Sequence, residues 1–140
     1  AREHAARHGL GNVDFAVATA KELPEGAFDL VCYFDCLHDM GDPRGAAAAT
    51  AKALRPGGSW MVVEPMSHDT LAENMNPVSR LYYGASTMIC VPCSLDQEVA
   101  EGMGAQAGPA LTMDVIRSGG FTQVRSALEA PFNRVYEARL

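Results

Sequence analysis

Short apolar segments suited to buried strands alternate with helical segments in the first part of the chain. The apolar runs have the length and the β-branched and aromatic content of strands, and they cover residues 13–18, 28–34 and 60–63. A helix is predicted between the second and third runs, because Asp42 can cap a helix that begins at Pro43. Helices and strands that alternate with short loops are typical of a parallel sheet with crossover helices.

The rest of the chain predicts a helical segment followed by a hairpin. Asn76 caps a predicted helix that runs to about Cys90 and carries an apolar stripe of helical period. A further helix is predicted at residues 112–118, where two glycines end it. Strands are predicted at residues 122–128 and 134–140. The turn between them is too short for a crossover, so this last pair is antiparallel.

Composition narrows the classes of function that the chain can have. The 140 residues carry a formal net charge of −6, which argues against a nucleic-acid surface on this portion. No apolar stretch is long enough to span a bilayer, so we expect no membrane contact. Four cysteines are too few for a disulfide scaffold, and a cytoplasmic location is therefore expected.

Four segments, taken in order, resemble one family over nearly the whole chain. They are AREHAARHGLGNVDF, FDLVCYFDCLHDMGDP, ALRPGGSWMVVEP and SGGF with the hairpin that follows. Together they resemble the C-terminal two-thirds of a class I, or Rossmann-like, S-adenosylmethionine-dependent methyltransferase. The motifs LHDMGDP, ALRPGG and VVEP resemble small-molecule O-methyltransferases of the plant phenolic type. The segment NPVSRLYYGAS resembles actinobacterial methyltransferases with an N-terminal winged helix.

The resemblance implies an α/β fold with an incomplete Rossmann-like sheet. The family's strand order is 3-2-1-4-5-7-6, and this chain would supply strands 3 to 7, the last pair antiparallel. Residues 1–140 would form a single partial methyltransferase domain with a helical lid insert at about 70–108. The family's Gly-rich cofactor loop would lie before residue 1, so we expect the chain alone to be inactive. The apolar strand at 28–34 would have a bare edge, and we expect a longer native protein or a homo-oligomer to cover it.

The resemblance also implies S-adenosylmethionine as the cofactor and a small molecule, through a hydroxyl, as the methyl acceptor. Ligands of doubly wound sheets bind beyond the carboxyl ends of the strands. The cofactor-binding candidates are therefore Thr19, Ala20, Phe34, Asp35 and Leu37. Thr19 stands where the family usually has an aspartate that accepts a hydrogen bond from adenine, and a hydroxyl can still accept one without charge.

Three further residues are candidates for the chemistry. His38 matches the general base of the plant phenolic O-methyltransferases, and an imidazole with a pKa near 6.5 can be neutral at cytoplasmic pH. The alternative is that His38 lines the cofactor cleft without moving a proton. Glu64 ends the third predicted strand, where it can orient a base or face the acceptor. Tyr83 falls off the main apolar stripe of its helix and is the candidate lid residue.

The sequence gives little support for a metal ion. Asp35, Asp39 and Glu64 offer oxygen ligands for Mg²⁺, but the Asp-Asn pair that catechol-type methyltransferases place after strand five is absent. Cys90 and Cys93 form one CxxC without a second pair to complete a zinc site, so we expect no metal.

Two other hypotheses for the function stay open at this stage. The chain could be the ligand-sensing or dimerisation domain of a transcriptional regulator whose winged helix lies elsewhere. It could also be a folded fragment without activity of its own.

Overall fold

Four strands form one mixed sheet in the computed structural model, which describes residues 1–140. The strands are β1 (Phe28–Phe34), β2 (Leu54–Pro65), β3 (Gln123–Glu129) and β4 (Asn133–Arg139), in the order β1-β2-β4-β3. β1 and β2 are parallel, and the other two pairings are antiparallel. In the family's numbering this order is 4-5-7-6, which confirms the predicted sheet for these four strands, including the antiparallel pair at its end.

The strand predicted at residues 13–18 is wrong. This segment pairs with no other strand, and Val17 is fully exposed. In the predicted order, strand 3 lies beyond two strands that the chain does not supply. An apolar run without a neighbour to complete its hydrogen-bonded ladder has no reason to adopt a strand. The sheet therefore begins at β1, which lies at its edge, and the covering of that edge by further chain or a second copy stays a prediction.

Five α-helices connect or flank the strands. They are α1 (Arg2–Arg7), α2 (Pro43–Ala53), α3 (Pro77–Ala85), α4 (Val91–Leu95) and α5 (Gly108–Ser118). The predicted caps of α2 and α3 are confirmed: Asp42 accepts from the Gly45 amide at 2.8 Å, and Asn76 accepts from the Ser79 amide at 2.9 Å. None of the helices combines the length and the apolar character that a bilayer span requires.

The helical segment that begins at Pro77 extends to Leu95, beyond the end at about Cys90 that its sequence predicts. α3 leads directly into a π-helical turn at Ser86–Cys90, and α4 follows it without a break. The apolar stripe predicted for this region points partly outward, since Leu81, Met88 and Ile89 are exposed. π-Helical turns are rare and frequently occur at functional sites.

The core lies between the sheet and the helices α2 and α5. Trp60 on β2 is its centre, with the Tyr33 ring at 5.0 Å in an edge-on arrangement and the Phe121 ring at 5.2 Å. α2 contributes only small side chains to this core, and α5 contributes Val115 and Ile116. These contacts fix the parallel pair β1 and β2, whose carboxyl ends carry the candidate residues.

Candidate active site

The chain turns sharply where β1 ends. Asp35 has a left-handed backbone, with φ of 46°, and its amide donates to the Val63 carbonyl of β2 at 2.8 Å. Aspartate tolerates this conformation better than most residues. A single helical turn at Leu37–Asp39 follows and brings His38 to the carboxyl ends of the two parallel strands.

A buried pair of His38 and Glu64 forms the centre of the site. Each residue has about 4% of its surface exposed. His38 Nδ1 donates to Glu64 Oε2, and the Leu37 amide donates to Glu64 Oε1 at 3.0 Å. One carboxylate therefore holds both the ring and the backbone beside it. In the neutral ring Nδ1 carries the proton and Nε2 keeps its lone pair, whereas in the imidazolium both nitrogens donate.

The free nitrogen of His38 faces two further groups. Nε2 lies 3.3 Å from Asp39 Oδ1, and the ligand atoms of His38, Asp39 and Cys90 all lie within 4.8 Å of one another. Oδ1 of Asp39 is buried and accepts no hydrogen bond, although 40% of the side chain as a whole is exposed. Asp39 is thus the member of this group that borders on solvent.

Negative charge dominates the electrostatics of the site. Burial by itself lowers the pKa of His38, but the hydrogen bond to Glu64 and the charges of Glu64, Asp39 and Asp35 outweigh it, so the net effect raises this pKa above 6.5. Burial, reinforced by Asp39, raises the pKa of the Cys90 thiol to about 11. The site therefore favours a cation.

Residues from distant parts of the chain hold the loop after β1 in place. Asn133 at the start of β4 donates to Asp35 Oδ1 at 3.0 Å. Gln97 accepts from the Gly41 amide and donates to the Asp39 carbonyl, both at 2.9 Å. Asn133 and Gln97 were not predicted as site residues, and Cys90 was a candidate ligand only together with Cys93. No local signal marks them, because their partners lie 50 or more residues away in the chain.

Thr19 and Ala20 lie at a groove rather than at the end of a strand. Thr19 caps a short turn, and its amide donates to the Glu22 carboxylate at 2.6 Å. Both residues line an open groove of about 540 Å³ together with Met40 and Gln97. The groove therefore connects this corner with the loop that follows β1.

The other predicted cofactor contacts differ in how accessible they are. Phe34 is 64% exposed at the end of β1, and Asp35 follows it. The side chain of Leu37 is fully buried in the core, and its amide is bound by Glu64. Phe34 and Asp35 are thus free to meet a ligand, whereas Leu37 positions Glu64.

Tyr83 lies apart from the His38 group. It lines a cavity of about 670 Å³ that is formed by residues of α3 and the loop before it, and neither His38 nor Glu64 borders this cavity. The Tyr83 hydroxyl lies 3.5 Å from the Asn74 amide nitrogen. The structure therefore does not bring the predicted lid residue to the predicted base.

The sheet order, the crossover helix α2 and an acidic site at the carboxyl ends of the parallel strands define an α/β domain of the Rossmann-like methyltransferase class. A family model described as "Methyltransferase domain" matches residues 1–115, and the chain belongs to this family. No curated protein matches the chain.

Solved structures share this fold at low sequence identity. An O-methyltransferase family protein from Burkholderia thailandensis superposes with a TM-score of 0.71 at 20% identity, over 99% of this chain and 39% of that one. PigF, solved with SAH, gives 0.71 at 19% identity over the same shares of the two chains. Human N-acetylserotonin methyltransferase, solved with SAM, gives 0.65 at 20% identity over 90% of this chain and 33% of its own. The chain thus spans about two fifths of the length of the first two.

Proposed function

We propose that this chain belongs to an S-adenosylmethionine-dependent methyltransferase that acts on a hydroxyl of a small molecule. The observation that carries the proposal is the buried pair of His38 and Glu64 at the carboxyl ends of β1 and β2, with Nε2 of the imidazole turned toward the partly exposed Asp39. Membership of the methyltransferase family supports it, as do structural neighbours solved with SAM or SAH.

In this proposal His38 is the general base. Bound S-adenosylmethionine supplies an electrophilic methyl group on a sulfonium. The acceptor hydroxyl would give its proton to Nε2 as its oxygen bonds to the methyl carbon and the carbon–sulfur bond breaks, which leaves an imidazolium and S-adenosylhomocysteine. Glu64 keeps Nδ1–H in place and stabilises that positive charge, so it is a positioning residue. Catalysis of this kind depends mainly on the alignment of donor and acceptor.

The residues after β1 fit the cofactor in part. Phe34 offers an exposed aromatic face, and Asp35 offers a carboxylate that suits a cationic or hydroxyl-bearing ligand. Thr19 and Ala20 would contribute from their groove. The buried side chain of Leu37 does not fit a direct contact, and its part would be to fix Glu64 through its amide.

Access to Nε2 has to come from the side of Asp39. His38, Glu64 and Cys90 are all buried, whereas Asp39 is partly exposed. A hydroxyl that approaches the imidazole therefore displaces the Asp39 carboxylate from its position 3.3 Å from Nε2. Asp39 would act as a gate between solvent and the base.

Cofactor binding is tested by calorimetric titration with S-adenosylhomocysteine. The titration uses this chain and, in parallel, the longest natural protein that contains it, and heat of binding in either supports the proposal. Asp35→Asn keeps a residue that tolerates the left-handed backbone but removes the charge, so it should weaken binding. Asp29→Asn, at the opposite end of the same strand, is the matched control. Absence of heat from both proteins would favour the regulator hypothesis.

The role of His38 is tested by transfer of a labelled methyl group to a panel of phenols and alcohols. His38→Ala should lower kcat by about 10²-fold or more, because a positioned general base contributes that much. Asp29→Asn should leave kcat unchanged. Full turnover in His38→Ala would show that the imidazole lines the cleft and moves no proton.

A further inference from the structure

Three side chains able to bind a metal ion lie close together, and they come from two separate parts of the fold. His38 and Asp39 lie on the turn after β1, and Cys90 ends the π-helical turn at Ser86–Cys90. Their ligand atoms lie within 4.8 Å of one another. The sequence places Cys90 51 residues beyond Asp39 and offers no reason to combine them.

The distances come close to those of a tetrahedral site. Bond lengths of about 2.0–2.1 Å to nitrogen or oxygen and about 2.3 Å to sulfur place neighbouring ligand atoms roughly 3.3–3.6 Å apart. His38 Nε2 and Asp39 Oδ1 already lie 3.3 Å apart. Since no pair exceeds 4.8 Å, an inward shift of about 1 Å by Cys90 Sγ would complete the set.

The orientation of the imidazole is a second, independent indication of a cation. His38 Nδ1 donates to the buried carboxylate of Glu64, which leaves the lone pair of Nε2 aimed at Asp39 and Cys90. Histidines that bind metals almost always donate their other nitrogen to a carboxylate or carbonyl in this way. Only 5% of the His38 side chain is exposed, so its surroundings hold the ring in this orientation.

One carboxylate oxygen without a hydrogen bond at the same place supports the assignment. Asp39 Oδ1 is buried and accepts no hydrogen bond, which is costly for a carboxylate oxygen. None of Asp35, Asp39 and Glu64 forms an ion pair with a lysine or an arginine, and His38 is the one basic side chain that Asp39 and Glu64 share. A divalent cation would neutralise this charge and occupy the unused acceptor.

We propose that His38, Asp39 and Cys90 bind one divalent ion of the zinc type, with a fourth position open on the solvent side of Asp39. A mixed set of nitrogen, oxygen and sulfur ligands selects Zn²⁺ or Co²⁺ over Mg²⁺ and Ca²⁺, which prefer oxygen alone. One consequence rests on the proposed function: the ion would take the lone pair that the base needs, so it would inhibit methyl transfer.

The test is a titration of the full chain with Co²⁺, which takes tetrahedral zinc sites and reports its ligands by absorption. A sulfur-to-cobalt charge-transfer band and intense visible bands are expected, and Zn²⁺ should abolish both by displacement. Cys90→Ser should remove the charge-transfer band and weaken Co²⁺ binding by at least about tenfold, while Glu64→Gln should weaken it by about 10–100-fold through the lost partner of His38. No cofactor or acceptor is present, so this result is independent of the proposed function.

Two cysteine variants serve as controls. Cys93→Ser changes an exposed thiol three residues from Cys90, and Cys36→Ser changes a partly buried thiol at the start of the turn that carries His38. Both should keep the charge-transfer band. Should Cys90→Ser not fold, Cys90→Ala replaces it, because alanine puts no polar group in this buried position, and it should also lose the band. A chain without the band, or a band that survives the loss of the Cys90 thiol, would overturn the site.

Discussion

Replacement of Glu64 by glutamine tests how the site fixes the charge of His38. The carboxylate accepts from His38 Nδ1 and from the Leu37 amide. The carbonyl oxygen of glutamine can still accept from Leu37, but its NH₂ group then faces Nδ1. An imidazolium would place two donors against each other there, so protonation becomes unfavourable. The pKa of His38 should therefore fall in Glu64→Gln relative to the unmodified chain.

The same carboxylate has a calculable effect on stability. Glu64→Ala removes one partner of a buried pair, which typically costs about 3–5 kcal/mol of unfolding free energy. Glu64→Gln keeps the acceptor for the Leu37 amide, and its cost should be about 1–3 kcal/mol. With a urea slope of about 2 kcal/mol per molar, the alanine variant should unfold roughly 2 M earlier.

Two measurements check these expectations. Titration of the His38 ring protons by NMR gives the pKa directly, and urea unfolding at neutral pH gives the stability. Glu25→Gln, in an exposed loop, is the control and should change neither quantity. An unchanged His38 pKa in Glu64→Gln, or equal stabilities of the alanine variant and the control, would refute the view that Glu64 governs the imidazole.

Three further predictions concern packing, the loop after β1 and pH. Gly119→Ala should lower the free energy of unfolding by about 1–3 kcal/mol, because a Cβ there would lie 2.5 Å from the backbone of α2. A Cβ at Gly84 on α3 meets nothing within 4 Å, so Gly84→Ala should raise the free energy of unfolding by about 0.5–1 kcal/mol. Urea unfolding measures both changes. Asn133→Ala should cost about 1 kcal/mol through the hydrogen bond lost at the end of β1, and exposed Asn12→Ala should cost nothing measurable. Because the folded state raises the pKa of His38, protonation of this ring stabilises the fold, and the contribution is fully present below pH 6.5. The free energy of unfolding should therefore fall as pH rises through the folded pKa, and His38→Ala should show no such loss.

Local signals were sufficient for much of the fold. The helix starts at Pro43 and Pro77 follow from capping residues that act on amides three positions away, and the structure places the hydrogen bonds there. The terminal hairpin follows from a turn too short for a crossover. Each of these features depends on neighbours in the sequence, which is why the residue pattern alone determined them.

The failures came where distant segments decide the outcome. Residues 13–18 have the composition of a strand, but no strand of this chain lies beside them. The sequence left open whether Glu64 orients a base or faces the acceptor, and the parallel pairing of β1 and β2 brings it into contact with His38. The approach of Cys90 depends on the path of α3 and the π-helical turn. Local residue patterns do not show which of these distant residues come into contact, because the path of the chain decides it.

The shared carboxylate of Glu64 limits how the site around it can be altered. Glu64 binds both the His38 ring and the backbone of the turn, so the imidazole cannot be reoriented without displacing that turn. A change in the direction of the imidazole would require the strand end and the turn to be redesigned together, since a single replacement of Glu64 removes the partner of the ring and the partner of the backbone at once.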